Sequence, residues 1–203
     1  MENFDAIIFD LGGVILNIDY NKTCLAFEDL GLKNFSDLYS QASQSGLFDR
    51  FETGQISTQF FINELLPYLP KGTSANELVH AWNAMILDFP DENLALLQRL
   101  RKKKKIFLLS NTNEIHIQCF HRKLAQKTNF QHLNSYFDFV YFSNEINMRK
   151  PDESIFEFVC QQQKLHPEKT LFIDDSIQHV EGAKKMGLQT YHLTNSESII
   201  SLF

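Results

Sequence analysis

Two apolar runs rich in Ile and Phe, Ala6-Ile7-Ile8-Phe9 and Leu171-Phe172-Ile173, stop at carboxylates: Asp10 in the first case, Asp174-Asp175 in the second. Short runs without polar interruption, closed by turn-forming residues such as Gly12-Gly13, read as strands buried on both faces, the pattern of a parallel sheet. Parallel strands need helical crossovers, and from Asp91 onward the chain supplies them. Leu94, Leu97 and Leu100 keep helical spacing before the run Ile106 to Leu109, and a helix from about Glu114 to Ala125 precedes Phe139 to Phe142. A helix from Glu153 to Lys164 leads to Leu171 to Ile173. Another from Gln178 to Met186, stopped by Gly187, leads to Thr190 to Leu193. The expected class is α/β, a doubly wound parallel sheet whose strand ends meet on one edge because the crossovers are right-handed.

Between the first strand and Asp91 the pattern changes. Residues from about Asn17 to Phe89 carry Phe, Leu and Ile at helical spacing, with Ser57 as the expected N-cap of a helix through Phe60 to Leu66 that Pro67 and Pro70 end. A second helix is expected from Ser74 to Leu87, with Leu78, Val79, Trp82, Met85 and Ile86 on its apolar side, and Pro90 turns the chain back. Residues 17–89 thus read as a helical insert, and residues 1–16 with 90–203 as the core.

A chain of 203 residues with 43% hydrophobic content suits one domain carrying an inserted module. Its net charge of −6, from 25 acidic against 19 basic side chains, argues against nucleic acid and anionic membranes as partners. The cluster Arg101 to Lys105 reads as the basic C-terminal end of a helix. Cys24, Cys119 and Cys160 are odd in number and widely spaced, so reduced thiols are expected. No signal-peptide pattern or bilayer-length apolar stretch stands out, and a cytoplasmic location is expected. The seven histidines show no metal-ligand spacing and read as structural or surface residues. The insert aromatics Phe48, Phe51, Phe60, Phe61 and Trp82 read as core, with Tyr20 and Phe48 as weak candidates for substrate contact.

Strand ends and neighbouring loops carry Asp10, Ser110-Asn111, Lys150 and Asp174-Asp175. Alone, each has a commonplace reading as a turn, cap or loop residue. Together they suit phosphoryl transfer. A phosphate dianion repels an attacking carboxylate, so an aspartate nucleophile needs a divalent cation and fixed donors around the phosphoryl oxygens. Mg²⁺ takes oxygen ligands and keeps several waters, so Asp10 and Asp175 suffice, with Asp174 in support. The Ser110 hydroxyl and the Asn111 backbone N–H, placed at a helix start, suit phosphoryl oxygens, and Lys150 supplies a point charge.

At these residues the chain strongly resembles the haloacid dehalogenase superfamily. Asp10, Ser110, Lys150 and Asp174-Asp175 match its four motifs in order, and the match covers nearly the whole length. The resemblance implies a Rossmann-like three-layer α/β/α core with a small α-helical cap inserted after the first strand. It also implies a Mg²⁺-dependent phosphatase working through an aspartyl-phosphate on a small phosphorylated metabolite, as a monomer or weak dimer. The pieces Phe9 to Val14, Leu109 to Asn113, Met148 to Pro151 and Phe172 to Asp175 look most like the bacterial α-D-glucose-1-phosphate phosphatase branch, itself related to the N-terminal phosphatase domain of soluble epoxide hydrolase. That implies a sugar phosphate, with glucose 1-phosphate as first candidate. By the same resemblance Gly12 gives its backbone carbonyl to the metal. Gly12 also stands where most such phosphatases carry the aspartate that serves as general acid, and His179 stands where close relatives tend to have asparagine. The missing acid leaves one alternative open, a catalytically weak or silent module that binds a phosphorylated ligand or a protein; a second is a metal-independent dehalogenase using the same Asp10, which the acidic pair Asp174-Asp175 opposes.

Overall fold

The computed structural model describes residues 4–32, 46–194 and 197–203; Met1 to Asn3 and residues 33–45 of the expected insert lie outside the described residues. Five strands form one parallel sheet: β1 (Ala6–Phe9), β2 (Lys105–Ser110), β3 (Phe139–Phe142), β4 (Thr170–Asp174) and β5 (Gln189–His192), in the order β3-β2-β1-β4-β5. Alternate side chains serve opposite faces, as the pleat requires. Ile7, Phe9, Leu108 and Ile173 join one apolar cluster, and Ile8, Phe107, Leu109 and Phe172 join the other. Helix α5 (Asp91–Arg101) and helix α6 (Glu114–Lys127) bury Leu97 and Phe120 in the first cluster. Helix α8 (Glu153–Gln163) and helix α9 (Ile177–Lys185) bury Phe156 and Ala183 in the second. Helices therefore cover both faces of the sheet, the three-layer arrangement expected.

Between β1 and α5 lie α1 (Tyr20–Asp29), α2 (Gly46–Glu52), α3 (Thr58–Leu65) and α4 (Ala75–Trp82). Ser57 caps α3 by accepting the Phe60 N–H, and Ser74 with Glu77 forms a capping box on α4. At their centre Trp82 stacks on Phe48, with ring centroids 5.3 Å apart, and meets Phe61 edge-on at 4.9 Å. These rings belong to the same continuous apolar cluster as one face of the sheet.

Helix α4 is shorter than its apolar spacing predicts. The Trp82 carbonyl, which a continuing helix would offer to residue 86, instead accepts from Thr23 Oγ1 and His116 Nε2, both at 3.1 Å. The chain passes through a 3₁₀ turn at Asn83–Met85, and Ile86 then bridges to Ile18 in antiparallel fashion. Short α7 (Ser143–Ile146) follows β3. No helix among the described residues is long and apolar enough to cross a membrane.

Candidate active site

Register decides what meets at the sheet edge. Phe9 pairs with both Leu108 and Ile173, so Asp10, the residue after β1, sits level with Leu109, one short of the end of β2, and with Asp174, the last residue of β4, and its N–H donates to the Ile173 carbonyl at 2.9 Å. Ser110 closes β2 and Asp174 closes β4. Strand order reverses beside β1, where open α/β sheets form their ligand crevice.

Lys150, fully buried in the loop between α7 and α8, donates from Nζ to Asp10 Oδ1 and to Asp174 Oδ2, each at 2.6 Å. Its backbone is clamped by a side chain. Asn111 Nδ2 donates to the Lys150 carbonyl and Asn111 Oδ1 accepts the Lys150 N–H, both at 2.9 Å. Asp174 is saturated on both oxygens: Oδ1 accepts the Ser176 N–H at 2.8 Å, Oδ2 accepts Lys150, and His179 Nδ1 lies 3.0 Å from each. Burial alone would raise the Asp174 carboxyl, but Lys150 and His179 outweigh it and bring the pKa down to about 2. Among the described residues, no lysine or histidine side chain is hydrogen-bonded to the Asp175 carboxylate. Burial first, then Asp10 and Asp174, push it up to about 7 against the opposing pull of Lys150. Burial and the Asp174 charge likewise raise Asp10, whereas Lys150, which burial would lower, is raised by its two carboxylates.

Oxygens of Asp10, Asp174 and Asp175 lie within 4.8 Å of one another. Hard oxygen donors at that spacing suit Mg²⁺, and a cation there would relieve the repulsion that raises Asp175. The backbone is shaped around this group. Gly13 has φ +72°, and a Cβ there would stand 2.7 Å from the Asp175 carboxyl carbon and closer to Oδ2, so only glycine leaves room for that carboxylate. The His192 Nε2–H donates to the Asp175 carbonyl at 3.0 Å. Below the turn, the Asn93 amide donates to the Val14 and Ile15 carbonyls.

The sequence-derived set therefore converges: Asp10, Lys150, Asp174 and Asp175 form one cluster, while Gly12, Ser110 and Asn111 line the crevice beside it. One local expectation differs. Helix α6 begins at Glu114 with Asn113 as its N-cap, so Asn111 stands outside the first turn and its N–H gains nothing from a helix terminus. Its side chain instead fixes Lys150, a contact between residues 39 positions apart that local spacing does not reveal. Gly12 is not left-handed; a Cβ there would meet the tip of Ile18, Cδ1, at 2.9 Å. Two roles go beyond what their spacing predicts: Gly13, a turn residue in the sequence, makes room for Asp175, and His192, one of the histidines expected to be structural or at the surface, holds the Asp175 carbonyl. A glycine directly after the Gly12 position was the one signal available for the first; nothing local marked the second. His116 also lines the crevice, but both ring nitrogens are engaged. Nδ1 accepts from Asn113 Nδ2 at 3.2 Å and Nε2–H donates to the Trp82 carbonyl, while burial pulls its pKa to about 4.

The sequence pattern of the haloacid dehalogenase-like hydrolases matches residues 4–187. The D-ribitol-5-phosphate phosphatase of Bacteroides thetaiotaomicron is 30% identical over 189 residues, 93% of this chain and 91% of that protein. A solved haloacid dehalogenase family enzyme, also from Bacteroides thetaiotaomicron, is an aspartate-to-alanine mutant in complex with magnesium and inorganic phosphate. It superposes with a TM-score of 0.93 at 31% identity, covering 98% of each chain. A hydrolase of the same type from Porphyromonas gingivalis gives 0.87 at 30% identity, covering 98% of this chain and 96% of that one. With the match spanning nearly its whole length, and with this sheet, the chain belongs to the haloacid dehalogenase-like hydrolase family.

Proposed function

We propose that the protein is a Mg²⁺-dependent phosphomonoesterase that hydrolyses a small phosphorylated metabolite through an aspartyl-phosphate. The observation that carries this reading is the cluster itself: three carboxylates within 4.8 Å beside a buried lysine that touches two of them. Asp10 attacks phosphorus in line, forming the acyl-phosphate as the ester oxygen leaves; water then releases phosphate and regenerates the carboxylate. Lys150 holds Asp10 oriented and offers positive charge to the phosphoryl oxygens, joined by the Ser110 hydroxyl and the Asn111 backbone N–H. Asp10, Asp175 and the Gly12 carbonyl would hold the metal, with Asp174 in support. A bound Mg²⁺ supplies charge neutralisation between nucleophile and phosphate. Asp174, saturated by Lys150, His179 and Ser176, acts mainly by holding Lys150 in place.

Residues 17–89 serve as the cap and residues 1–16 with 90–203 as the catalytic core. The two connections run side by side: Asn17 N–H donates to the Asp88 carbonyl at 2.9 Å and Leu87 N–H to the Asn17 carbonyl at 3.0 Å. The substrate is a phosphorylated polyhydroxy compound, a sugar phosphate such as glucose 1-phosphate or a polyol phosphate like that in the name of the ribitol-5-phosphate relative. Gly12 favours a second reading. No carboxylate stands at that position to protonate a leaving group, as a silent phosphate-binding module would have it.

Phosphate release from a panel of sugar and polyol phosphates, with Mg²⁺ and with chelator, tests both. Turnover that needs Mg²⁺ and vanishes in Asp10→Asn supports the esterase; phosphate binding without turnover of any ester supports the silent module. Chelator-resistant haloacid turnover would move the protein to dehalogenation.

A further inference from the structure

Thr112, next but one after Ser110 in the loop between β2 and α6, lines the crevice although it is only 5% exposed. One side chain holds its backbone from behind. Ser143 Oγ accepts the Thr112 N–H at 2.9 Å and can donate to the Thr112 carbonyl at 3.1 Å. Ser143 is itself fully buried at the start of α7, and its hydroxyl also reaches the Glu52 backbone carbonyl at 2.6 Å, so this anchor is tied to the core and to the end of α2. With both backbone groups turned to Ser143, the part of Thr112 that faces the crevice is its side chain.

The Thr112 hydroxyl makes no hydrogen bond to any described residue. A hydroxyl offers one donor and two acceptor sites, and one shielded from bulk water gains most from a partner that arrives with the ligand. Other polar side chains of the crevice are engaged within the protein: His116 uses both ring nitrogens, Arg149 pairs with Asp49 and Glu52, and His179 lies on Asp174. Reach decides which part of a substrate Thr112 meets. Two residues of extended chain span at most about 7 Å, so a phosphoryl group held at Ser110 and Asn111 brings Thr112 beside the first carbons of the ester rather than its far end.

We propose that Thr112 is a specificity-determining residue: its hydroxyl bonds a substrate hydroxyl on the carbon next to the ester carbon, so that vicinally hydroxylated phosphomonoesters are favoured over their deoxy counterparts. This deepens the phosphomonoesterase reading and rests on it. A site built to bond a hydroxyl discriminates against the analogue that lacks it, because the protein's own hydroxyl is then covered and left without a partner.

The test compares kcat/KM, with Mg²⁺ present, for a pentitol 5-phosphate and its 4-deoxy analogue, with phenyl phosphate as a reference ester. Wild type should favour the hydroxylated chain by about tenfold, the effect of one well-placed hydrogen bond. Thr112→Val replaces the hydroxyl by a methyl group and should cut that ratio to about threefold or less; intrinsic differences between the two esters are common to both enzymes and cancel. Thr112→Ala removes the same hydroxyl if valine crowds the loop, and Thr112→Ser should keep most of the preference. A wild-type ratio near one, or a ratio that neither Thr112→Val nor Thr112→Ala lowers, overturns the assignment alone when wild type still hydrolyses phenyl phosphate. Equal slowing of all three esters is such a result, since it would make Thr112 a phosphate contact. If wild type turns over none of these esters, phenyl phosphate included, the phosphatase reading falls and the assignment with it.

Discussion

The strand-end cluster and the seam between insert and core are both buried and polar, yet they are built in opposite ways. At the strand ends, three carboxylates crowd around one lysine, and Asp175 stays electrostatically unsatisfied at a pKa of about 7. At the seam, Asn113, His116 and Trp82 satisfy one another: Asn113 Oδ1 accepts from Trp82 Nε1 at 3.3 Å and from the His116 N–H at 3.1 Å, and the His116 ring stacks on Trp82. The first region holds unfavourable charge in reserve for a ligand, and the second is closed. Polar burial alone therefore does not mark a reactive site; incomplete compensation does.

The sharpest way to break this contrast is Asp10→Asn. It keeps volume and removes the nucleophile, so ester turnover should fall at least about 10³-fold while near-ultraviolet circular dichroism stays native. Residual activity above that level would strip Asp10 of its role. Next in size is Lys150→Met, which leaves Asp10 and Asp174 buried without their cation. Urea unfolding should show a loss of about 3–5 kcal/mol, and a loss under about 1 kcal/mol would mean that the lysine does not hold the cluster.

The two regions should also answer pH with opposite signs. His116 stays neutral in the fold to about pH 4, while the unfolded chain takes up its proton near 6.5; stability from the seam is complete above 6.5 and falls as pH drops through that window. Metal-free Asp175 keeps a proton in the fold up to about pH 7 that the unfolded chain loses near 3.8, so stability at the strand ends falls as pH rises between those values. Mg²⁺ should cancel only the second effect, giving a larger thermal stabilisation at pH 8 than at pH 5. Equal stabilisation at both would contradict the carboxylate account.

Smaller effects sharpen the comparison. Gly13→Ala forces a left-handed alanine against Asp175; it should cost roughly 1–2 kcal/mol in strain and weaken Mg²⁺ binding measured by calorimetry. Trp82→Phe loses one hydrogen bond and a little volume at the seam, costing about 1–2 kcal/mol in urea unfolding. Mg²⁺ affinity should not change; if it did, the seam and the cluster would be one coupled unit.

Local spacing carried the strands, the crossover helices and the residues at strand ends, because hydrophobic period and turn chemistry are properties of neighbouring residues. It overextended α4, since the apolar spacing runs past Trp82 while the carbonyl that would continue the helix is taken by Thr23 and His116, far away in sequence. It also assigned Asn111 by its backbone, because the partner of its amide arrives only when the Lys150 loop packs beside β2.

By itself, the order of apolar runs and acidic ends determined a parallel α/β sheet with carboxylates gathered on one edge, since strand direction and crossover hand leave those ends nowhere else to go. Which carboxylate is neutralised and which is left strained was decided by tertiary structure: His179 and Ser176 complete Asp174, while Gly13 merely makes room for Asp175. Charge compensation falls off within a few ångströms, and only the folded chain sets distances on that scale.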